Sequence, residues 1–442
     1  MAYNYVHTLG SIPTTTEKLL LNQYVDNYLF SLIIGLRQGE FGHNTVIRAA
    51  KYINKLRKQL GTDKRLMIDS GGYSIIVGDV PFKNIKKCIE CYNYYLETYA
   101  QSDCDFMLSL DIPIFLNEPH NNTSDNIYKW NRESISLSKK ILEQNELLYN
   151  KFIYVWHFKL LKQYNIWRKN YNEFFKDDKK IKHHAIGGLV SLRGITNINF
   201  SPFIIPAFKI LKLIYDRNVK EKSLLHILGV YHKYDRFALM FMNKLFNEFC
   251  LKDKNPQIEL TFDTVNYTIS GLYKIRDMPI IIEKNNDFEH NSANKLEDNI
   301  HHLIDDINVK QLIQNELELI KNNKSLDNPK LFSLLMVVFN QLADKIMLKM
   351  IEDENLIDLF VNSKNPNNFI NTFTNIFTKW ENKYPFVLRG LKNNLTENFR
   401  WLKSGYQLWE MDVDESKWDS AVIKFAQRIN FPFDLNGEFK YD

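Results

Sequence analysis

The sequence predicts an α/β protein, a (β/α)8 TIM barrel followed by a helical C-terminal domain. Short apolar runs recur along the first two thirds of the chain, and helical stretches separate them, which is typical of alternating strands and helices. Several of these runs end in a polar residue or a glycine. The eight predicted strands are 28–34, 66–69, 106–111, 152–157, 185–189, 224–230, 258–263 and 279–283.

The ends of these runs carry the residue types that binding and catalysis use. They are Asp69, Asp111, His157, Gly188, Gly229 and Asp263. Barrel enzymes place their chemistry at the C-terminal ends of the strands, so we expect these residues to share one mouth of the barrel. The alternative is an open doubly wound sheet. No GxGxxG or GxxxxGK[ST] loop follows any predicted strand, so the usual nucleotide-binding loops are missing.

The chain changes character after about residue 288, where long helical periodicity begins. Core-facing spacing of apolar residues between Leu331 and Ile351 predicts a helix, and helix is also expected from Phe373 to Leu391. Four tryptophans in this part are expected to lie mostly in a helical core. We therefore predict a barrel over residues 1–295 and an α-helical domain over residues 296–442.

Composition places the chain among globular proteins: it has 442 residues, of which 45% are hydrophobic and 25% charged. No apolar run approaches the length that spans a bilayer, and the first residues lack a basic start with an apolar core, so we expect no membrane association and a cytoplasmic location. The net charge of +5 permits a nucleic-acid partner without arguing for one.

Cysteine usage argues against a disulfide framework, because the chain has only four. Cys88 and Cys91 form a CxxC pair, but they lie in a stretch with the pattern of an amphipathic helix. A zinc ion there would need two more ligands from elsewhere, so we predict a structural role.

The stretch from Arg65 to Ser74 predicts a buried strand that opens into a reactive loop. The apolar run ends in Asp69, and Gly71 and Gly72 allow tight backbone geometry and close approach of a ligand. An ordinary Asp-Ser-Gly-Gly turn after a strand is the alternative when this stretch is considered alone.

Four segments together resemble the motifs of the tRNA-guanine transglycosylase family, in the order in which that family has them. Asp69-Ser-Gly-Gly-Tyr73 resembles its Asp-Ser-Gly-Gly-aromatic loop, and Ala185-Ile-Gly-Gly-Leu189 its glycine pair. His226-Ile-Leu-Gly-Val230 resembles its Leu/Met-Gly-Val segment, and Thr261-Phe-Asp-Thr-Val265 its nucleophile motif. Asp111 follows another strand in the matching place.

The resemblance implies catalytic roles for two carboxylates. Exchanging a base without hydrolysis calls for a covalent sugar–enzyme intermediate, and a carboxylate is the nucleophile that retaining glycoside enzymes use. Asp263 matches the nucleophile. A second carboxyl group must protonate the departing base and deprotonate the incoming one, and Asp69 fits that role.

The resemblance also implies a guanine-binding set. Asp111, assisted by Ser70, matches the acceptor of the N1–H and N2–H donors of guanine, and backbone N–H groups at Gly188 and Leu189 match the contacts to O6. Tyr73 and Leu228 match the positions on either side of the base. His157 stands where the family has a glutamine that contacts the base, and it is expected either to replace that contact or to cap a strand end.

Besides His157, two further departures from the family pattern concern zinc and the loop after Tyr73. The tRNA enzymes carry a CxCxxC run and a later histidine after the nucleophile motif, whereas this chain has no cysteine beyond Cys250, so we predict no zinc and no other cofactor. Ser74 stands where the family usually has glutamine.

With its helical extension, the chain is more similar to the DNA 7-deazaguanine transglycosylases of bacteriophages and bacterial DNA-modification islands. That likeness implies exchange of guanine in DNA for a free 7-deazaguanine base such as preQ0, which protects DNA from restriction. If the chain is phage-encoded, it would act in the host cytoplasm. The alternatives are a tRNA enzyme with a divergent C-terminal domain and a non-catalytic nucleic-acid-binding partner subunit.

The likeness implies that the barrel over residues 1–295 is the catalytic domain and that the helical domain over residues 296–442 serves DNA binding or structural support. A basic and aromatic segment over residues 159–182 is the candidate DNA contact. Its proposed phosphate-binding residues are Lys159, Lys162, Arg168 and Lys169, interleaved with Tyr164, Trp167, Tyr171, Phe174 and Phe175. The alternative is a solvated helix with an apolar underside.

Overall fold

The structure is a computed structural model, and it describes most of the barrel and of the helices that follow it. The described residues are 5–9, 25–33, 41–61, 63–72, 75, 84–113, 124–157, 161–188, 199–217, 219, 221–230, 232–252, 257–264 and 329–429.

Eight parallel strands form a closed barrel in chain order, which confirms the predicted fold class. Strand β1 pairs with β2 on one side and with β8 on the other, so no strand edge is left open. The strands are β1 Tyr5–Leu9, β2 Asn27–Ser31, β3 Arg65–Asp69, β4 Phe106–Leu108, β5 Phe152–His157, β6 His183–Gly187, β7 Ser223–Ile227 and β8 Ile258–Asp263.

The strand count was correct, but the set of strands was not. The prediction missed β1, and the barrel closes without the predicted strand 279–283, which lies outside the described residues. β1 contains polar residues, so it does not stand out as an apolar run in the sequence. His7 is nevertheless buried, and the hydroxyl of Tyr5 lies 3.0 Å from its Nδ1. Burial lowers the pKa of His7 to about 4, so the ring is neutral and acceptable in the core.

Helices connect the strands on the outside of the barrel. In chain order they are α1 His43–Leu60, α2 Ile85–Thr98, α3 Ala100–Asp103, α4 Ser124–Gln144, α5 Leu161–Phe174, α6 Ile204–Asp216 and α7 Lys233–Leu245, which continues into a π-helical turn, Phe246–Cys250. Cys88 and Cys91 are buried on α2, as the amphipathic pattern predicted.

The described residues after 328 are helical, in agreement with the predicted change of character. The predicted apolar helix is confirmed, and helix is present over most of the predicted range from Phe373 to Leu391, although it begins earlier and is interrupted at Tyr384. The helices are α8 Pro329–Asp353, α9 Leu356–Asn362, α10 Pro366–Lys383, α11 Pro385–Leu388, α12 Lys392–Glu410 and α13 Glu415–Ile429. The predicted boundary at 295/296 lies outside the described residues.

These later helices pack on the barrel helices α5, α6 and α7. Helix α6 is buried along ten of its residues, because strands cover one side and α12 and α13 cover the other. A buried ion pair adds to the apolar contact: Arg236 Nε on α7 donates to Asp344 Oδ1 on α8 over 2.7 Å. Of the four tryptophans, Trp380 and Trp418 are buried and Trp401 and Trp409 half-buried, as core residues should be.

Asn398 on α12 ties the starts of α6 and α7 together. Its Oδ1 accepts from the backbone N–H of Ser201 over 2.6 Å, and its Nδ2 donates to Ser201 Oγ over 2.9 Å and to the carbonyl of Tyr234 over 3.1 Å. The side chain is buried and uses both ends of its amide, which is how a buried amide becomes tolerable.

No helix in the described part of the chain has the length and apolar character needed to cross a membrane.

Candidate active site

The candidate site lies at the C-terminal mouth of the barrel, directly above an apolar layer. Residues of alternating strand positions fill the barrel interior, because successive side chains point to opposite faces. Met67, Val155 and Ala185 belong to this inner layer. Two residues further along the same strands stand Asp69, His157 and Gly187.

Asp111 is held from both sides. Ser70 Oγ donates a hydrogen bond to Asp111 Oδ1 over 2.9 Å, and His157 Nε2 contacts Asp111 Oδ2. All three side chains are buried. The backbone after Asp111 is fixed as well, because the amide of Asn131 on α4 bonds both the N–H and the carbonyl of Ile112, over 2.9 and 2.8 Å. Asp111 therefore has little freedom to turn away from the mouth.

Gly72 and Gly71 explain why the loop after β3 contains two glycines. A Cβ at Gly72 would lie 2.8 Å from both the carbonyl oxygen and Oδ1 of Asp111, closer than real contacts allow. Gly71 has a φ of +91°, which L side chains rarely adopt. The loop can approach Asp111 only with these residues.

Asp69 lies at the end of β3, beside Ser31 of the neighbouring strand. Burial raises the pKa of its carboxyl group to about 7, and the negative charges of Asp111 and, to a smaller extent, Asp263 act in the same direction. A hydrogen bond from the backbone of Gly71 opposes them. A carboxyl group with a pKa near neutrality can both donate and accept a proton at physiological pH.

Asp263 ends β8 and is only 7% exposed. Its Oδ1 accepts a hydrogen bond from the N–H of Gly229 over 2.9 Å, and its carbonyl accepts from the N–H of Val230 over 3.0 Å. Backbone N–H groups in the segment from His226 to Val230 therefore fix the position of Asp263, the candidate nucleophile. Leu228, in the same segment, is half-buried and packs against the inner apolar layer.

The remaining base-binding predictions are only partly described. Gly188 follows β6 with a φ of +81°, next to Gly187, whose Cα approaches His157 so closely that a Cβ would lie 3.1 Å from Nε2. Tyr73 and Leu189 lie outside the described residues.

The predicted aromatic contact with nucleic acid is wrong for most of its rings. Four of the five aromatic side chains are buried in the protein core, because α5 turns them towards β5 and α6; they are Tyr164, Trp167, Tyr171 and Phe175. Phe174 is half-buried and packs against the same core. The helix with an apolar underside is therefore the better description of this segment.

The predicted phosphate-binding side chains have other contacts where they are described. Arg168 Nη1 donates to Asp419 Oδ2 on α13 over 3.2 Å, and Lys169 Nζ lies 4.3 Å from the ring centre of Tyr128. Lys159 lies outside the described residues, and of Lys162 only the helical backbone is described.

One residue at the mouth was missed. His226 on β7 is fully buried, and its Nε2 lies 3.3 Å from Asp263 Oδ1. The signal was present in the sequence: period-two alternation puts His226 on the same barrel face as Leu228, a predicted base-binding residue.

The sequence lacks the CxCxxC run that the tRNA enzymes carry after the nucleophile motif. Among the residues that the structure describes, no three His, Cys, Asp or Glu side chains come together as a metal site. All four cysteines are buried, and burial raises the pKa of the Cys91 thiol to about 11.

Comparison with models of known protein families and with curated proteins found no match, so the functional argument depends on the residues and their geometry.

Proposed function

We propose that this protein is a transglycosylase that exchanges guanine in DNA for a free 7-deazaguanine base such as preQ0. The observation that supports this most directly is the grouping of Asp69, Asp111 and Asp263 at one mouth of a closed barrel, with the pKa of Asp69 raised to about 7 by burial and by the other two charges. Base exchange with retention needs an ionised nucleophile and a carboxyl group that moves a proton near neutral pH.

Recognition of guanine would begin at Asp111. One oxygen already accepts from Ser70 and the other contacts His157, but each carboxylate oxygen has two lone pairs. The second pair on each oxygen is available to the N1–H and N2–H groups of guanine. A base without two adjacent donors would leave these second lone pairs without a partner in a buried site, which costs about 1–3 kcal/mol.

The chemistry would proceed in two displacements. Asp263 attacks C1′ of the deoxyribose, the bond from C1′ to N9 of guanine breaks, and the electron pair leaves with the base as Asp69 gives it a proton. The incoming 7-deazaguanine then loses its N9 proton to Asp69 and attacks C1′. The bond between C1′ and Asp263 breaks, and both side chains return to their starting protonation states.

DNA as the substrate is supported by two features. The cysteine motif of the tRNA enzymes is missing from the sequence, and α8–α13 take its place as the chain's C-terminal part. A duplex hides C1′ and the base edge, so the guanosine must leave the stack or be presented on a single strand.

The test uses the full-length protein with single-stranded DNA, duplex DNA or tRNA, each with radiolabelled guanine, followed by mass analysis of nucleosides after incubation with preQ0. We expect label and the 2′-deoxynucleoside of preQ0 only in DNA, and a sodium dodecyl sulfate-resistant protein–DNA adduct that Asp263→Asn abolishes. Label in tRNA alone would replace the proposal by the tRNA activity. Nucleic-acid binding with neither label nor adduct would indicate a non-catalytic subunit.

A further inference from the structure

His226 occupies a position from which it can act on the proposed nucleophile. Its side chain is fully buried on β7, and Nε2 lies 3.3 Å from Asp263 Oδ1 in an orientation that does not complete a hydrogen bond. Nε2 has no other hydrogen-bond partner among the described residues. A buried ring nitrogen without a partner is costly, and here the nearest acceptor is a carboxylate.

The other ring nitrogen decides which tautomer is present. His226 Nδ1 lies 2.9 Å from Thr261 Oγ1. If the proton is on Nε2, the Thr261 hydroxyl donates to Nδ1 and an N–H faces Asp263. If the proton is on Nδ1, a lone pair on Nε2 faces the lone pairs of Asp263 Oδ1, and the two acceptors repel. The first arrangement places an N–H beside the carboxylate and the second places two acceptors together, so the first has the lower energy.

The two carboxylate oxygens of Asp263 therefore differ in the hydrogen-bond donors around them. Oδ1 receives the Gly229 N–H over 2.9 Å and faces His226, whereas Oδ2 has no hydrogen bond with any residue that the structure describes. The oxygen without donors is the more nucleophilic one, because hydrogen bonds lower the energy of a lone pair.

We propose that His226 is a positioning residue that reserves Oδ1 of Asp263, so that Oδ2 attacks the sugar. This inference rests on the proposed function. In the covalent intermediate Oδ1 becomes the carbonyl oxygen of the ester, and it regains negative charge when the incoming base displaces the carboxylate. The N–H of His226 and that of Gly229 stabilise that charge, so His226 favours the second displacement more than the first.

The test compares adduct formation with adduct resolution in rapid-quench experiments on single-stranded DNA. For His226→Phe we expect resolution to slow by about 10–100-fold, with a smaller effect on formation, so the adduct accumulates. His226→Gln places an amide N–H near the position of Nε2 and should restore resolution to within about 5-fold of the original protein.

His184→Phe is the matched control, because His184 is also fully buried, on the neighbouring strand β6, but contacts Trp156 rather than a catalytic carboxylate. We expect this variant to keep the ratio of the two rates. An unchanged ratio in His226→Phe, or an equal change in His184→Phe, would overturn the proposal.

A second measurement does not depend on activity. Nitrogen-15 NMR of histidine-labelled protein, assigned through His226→Gln, should show His226 as the Nε2–H tautomer with a resonance that moves in Asp263→Asn. An Nδ1–H tautomer would overturn the inference even in an active enzyme. Absence of adduct and exchange on every nucleic acid would instead overturn the proposed function, and the NMR result would still decide the placement of the proton.

Discussion

The two ends of the barrel treat charge in opposite ways. At the N-terminal end of the strands, Glu259 accepts a hydrogen bond from Arg65 over 2.8 Å and contacts Lys222 over 2.8 Å. Burial acts to raise the pKa of Glu259, but these two cations outweigh burial and leave it below its usual range. At the C-terminal end, burial raises the pKa of Asp69, and Asp111 and Asp263 add to the increase.

The contrast assigns stability to one end of the barrel and chemistry to the other. Paired opposite charges lower the energy of the folded state, and both partners stay ionised near neutral pH. Like charges at a partly buried site raise the energy of the folded state, and such an arrangement persists where function requires it. The following substitutions test this contrast.

Asp263→Asn should have the largest effect, because an amide is a poor nucleophile at C1′. We expect base exchange to fall by at least about 10³-fold, with thermal stability close to that of the original protein. The measurement is adduct formation and label exchange on DNA beside a thermal melt. Residual exchange within about 10-fold of the original would exclude Asp263 as nucleophile.

Asp69→Asn should lower activity and raise stability at alkaline pH. Loss of the proton donor is expected to slow exchange by about 10²-fold. The usual pKa of this carboxyl, 3.8, is raised to about 7 in the folded state. Its contribution to stability is therefore complete below about pH 4 and is lost as the pH rises through about 7.

Because Asp69 is only partly buried, we expect Asp69→Asn to gain about 2 kcal/mol at pH 8 relative to pH 4, less than the full pKa shift implies. Urea unfolding at both pH values measures the gain. Equal differences at the two pH values would show that Asp69 does not titrate between them.

Glu259→Gln should reverse the pattern at the other end of the barrel. Removing the charge weakens the contacts with Arg65 and Lys222, which are partly exposed, so we expect a loss of about 1 kcal/mol in unfolding free energy. Base exchange should be unchanged. An effect on the adduct rate larger than the effect on stability would contradict the separation of the two ends.

Asp111→Asn should cause the smallest of the pH-dependent effects, a modest change in the pH at which Asp69 loses its proton. Its negative charge raises the pKa of Asp69, so removing it lowers that pKa and moves the alkaline limb of adduct formation down by about half a pH unit. The limb is measured at saturating DNA, because weaker base binding also raises KM. A shift towards higher pH would contradict the proposed coupling.

The sequence was sufficient to predict the barrel and the grouping of Asp69, Asp111 and Asp263, because parallel strands bring their C-terminal ends to one mouth. It was not sufficient for β1, where a buried neutral histidine interrupts the apolar pattern. The aromatic residues around Arg168 were misassigned for a related reason. In a helix with basic residues on one face and aromatic residues on the other, the sequence spacing of these residues is the same whether the aromatic side chains contact a nucleobase or pack against a strand.

His226 was missed because a histidine between apolar residues has no local signature of a catalytic neighbour. Its partner, Asp263, belongs to the next strand, and only the register of β7 with β8 brings them together. The residues at strand ends can be recognised from the sequence, but contacts between side chains on neighbouring strands can be predicted only when the register of the strands is known.

Helix α6 has a consequence for how this protein can be engineered or can vary. Since α12 and α13 cover the side that a helix of an ordinary barrel would turn to water, the barrel is not a portable module. Removing the chain from Pro329 onward would expose the apolar face of α6 and would remove the Asn398 contacts with Ser201 and Tyr234. A different specificity would therefore have to arise within the mouth or in the outer layer as a whole, and exchange of the C-terminal part alone would impair folding.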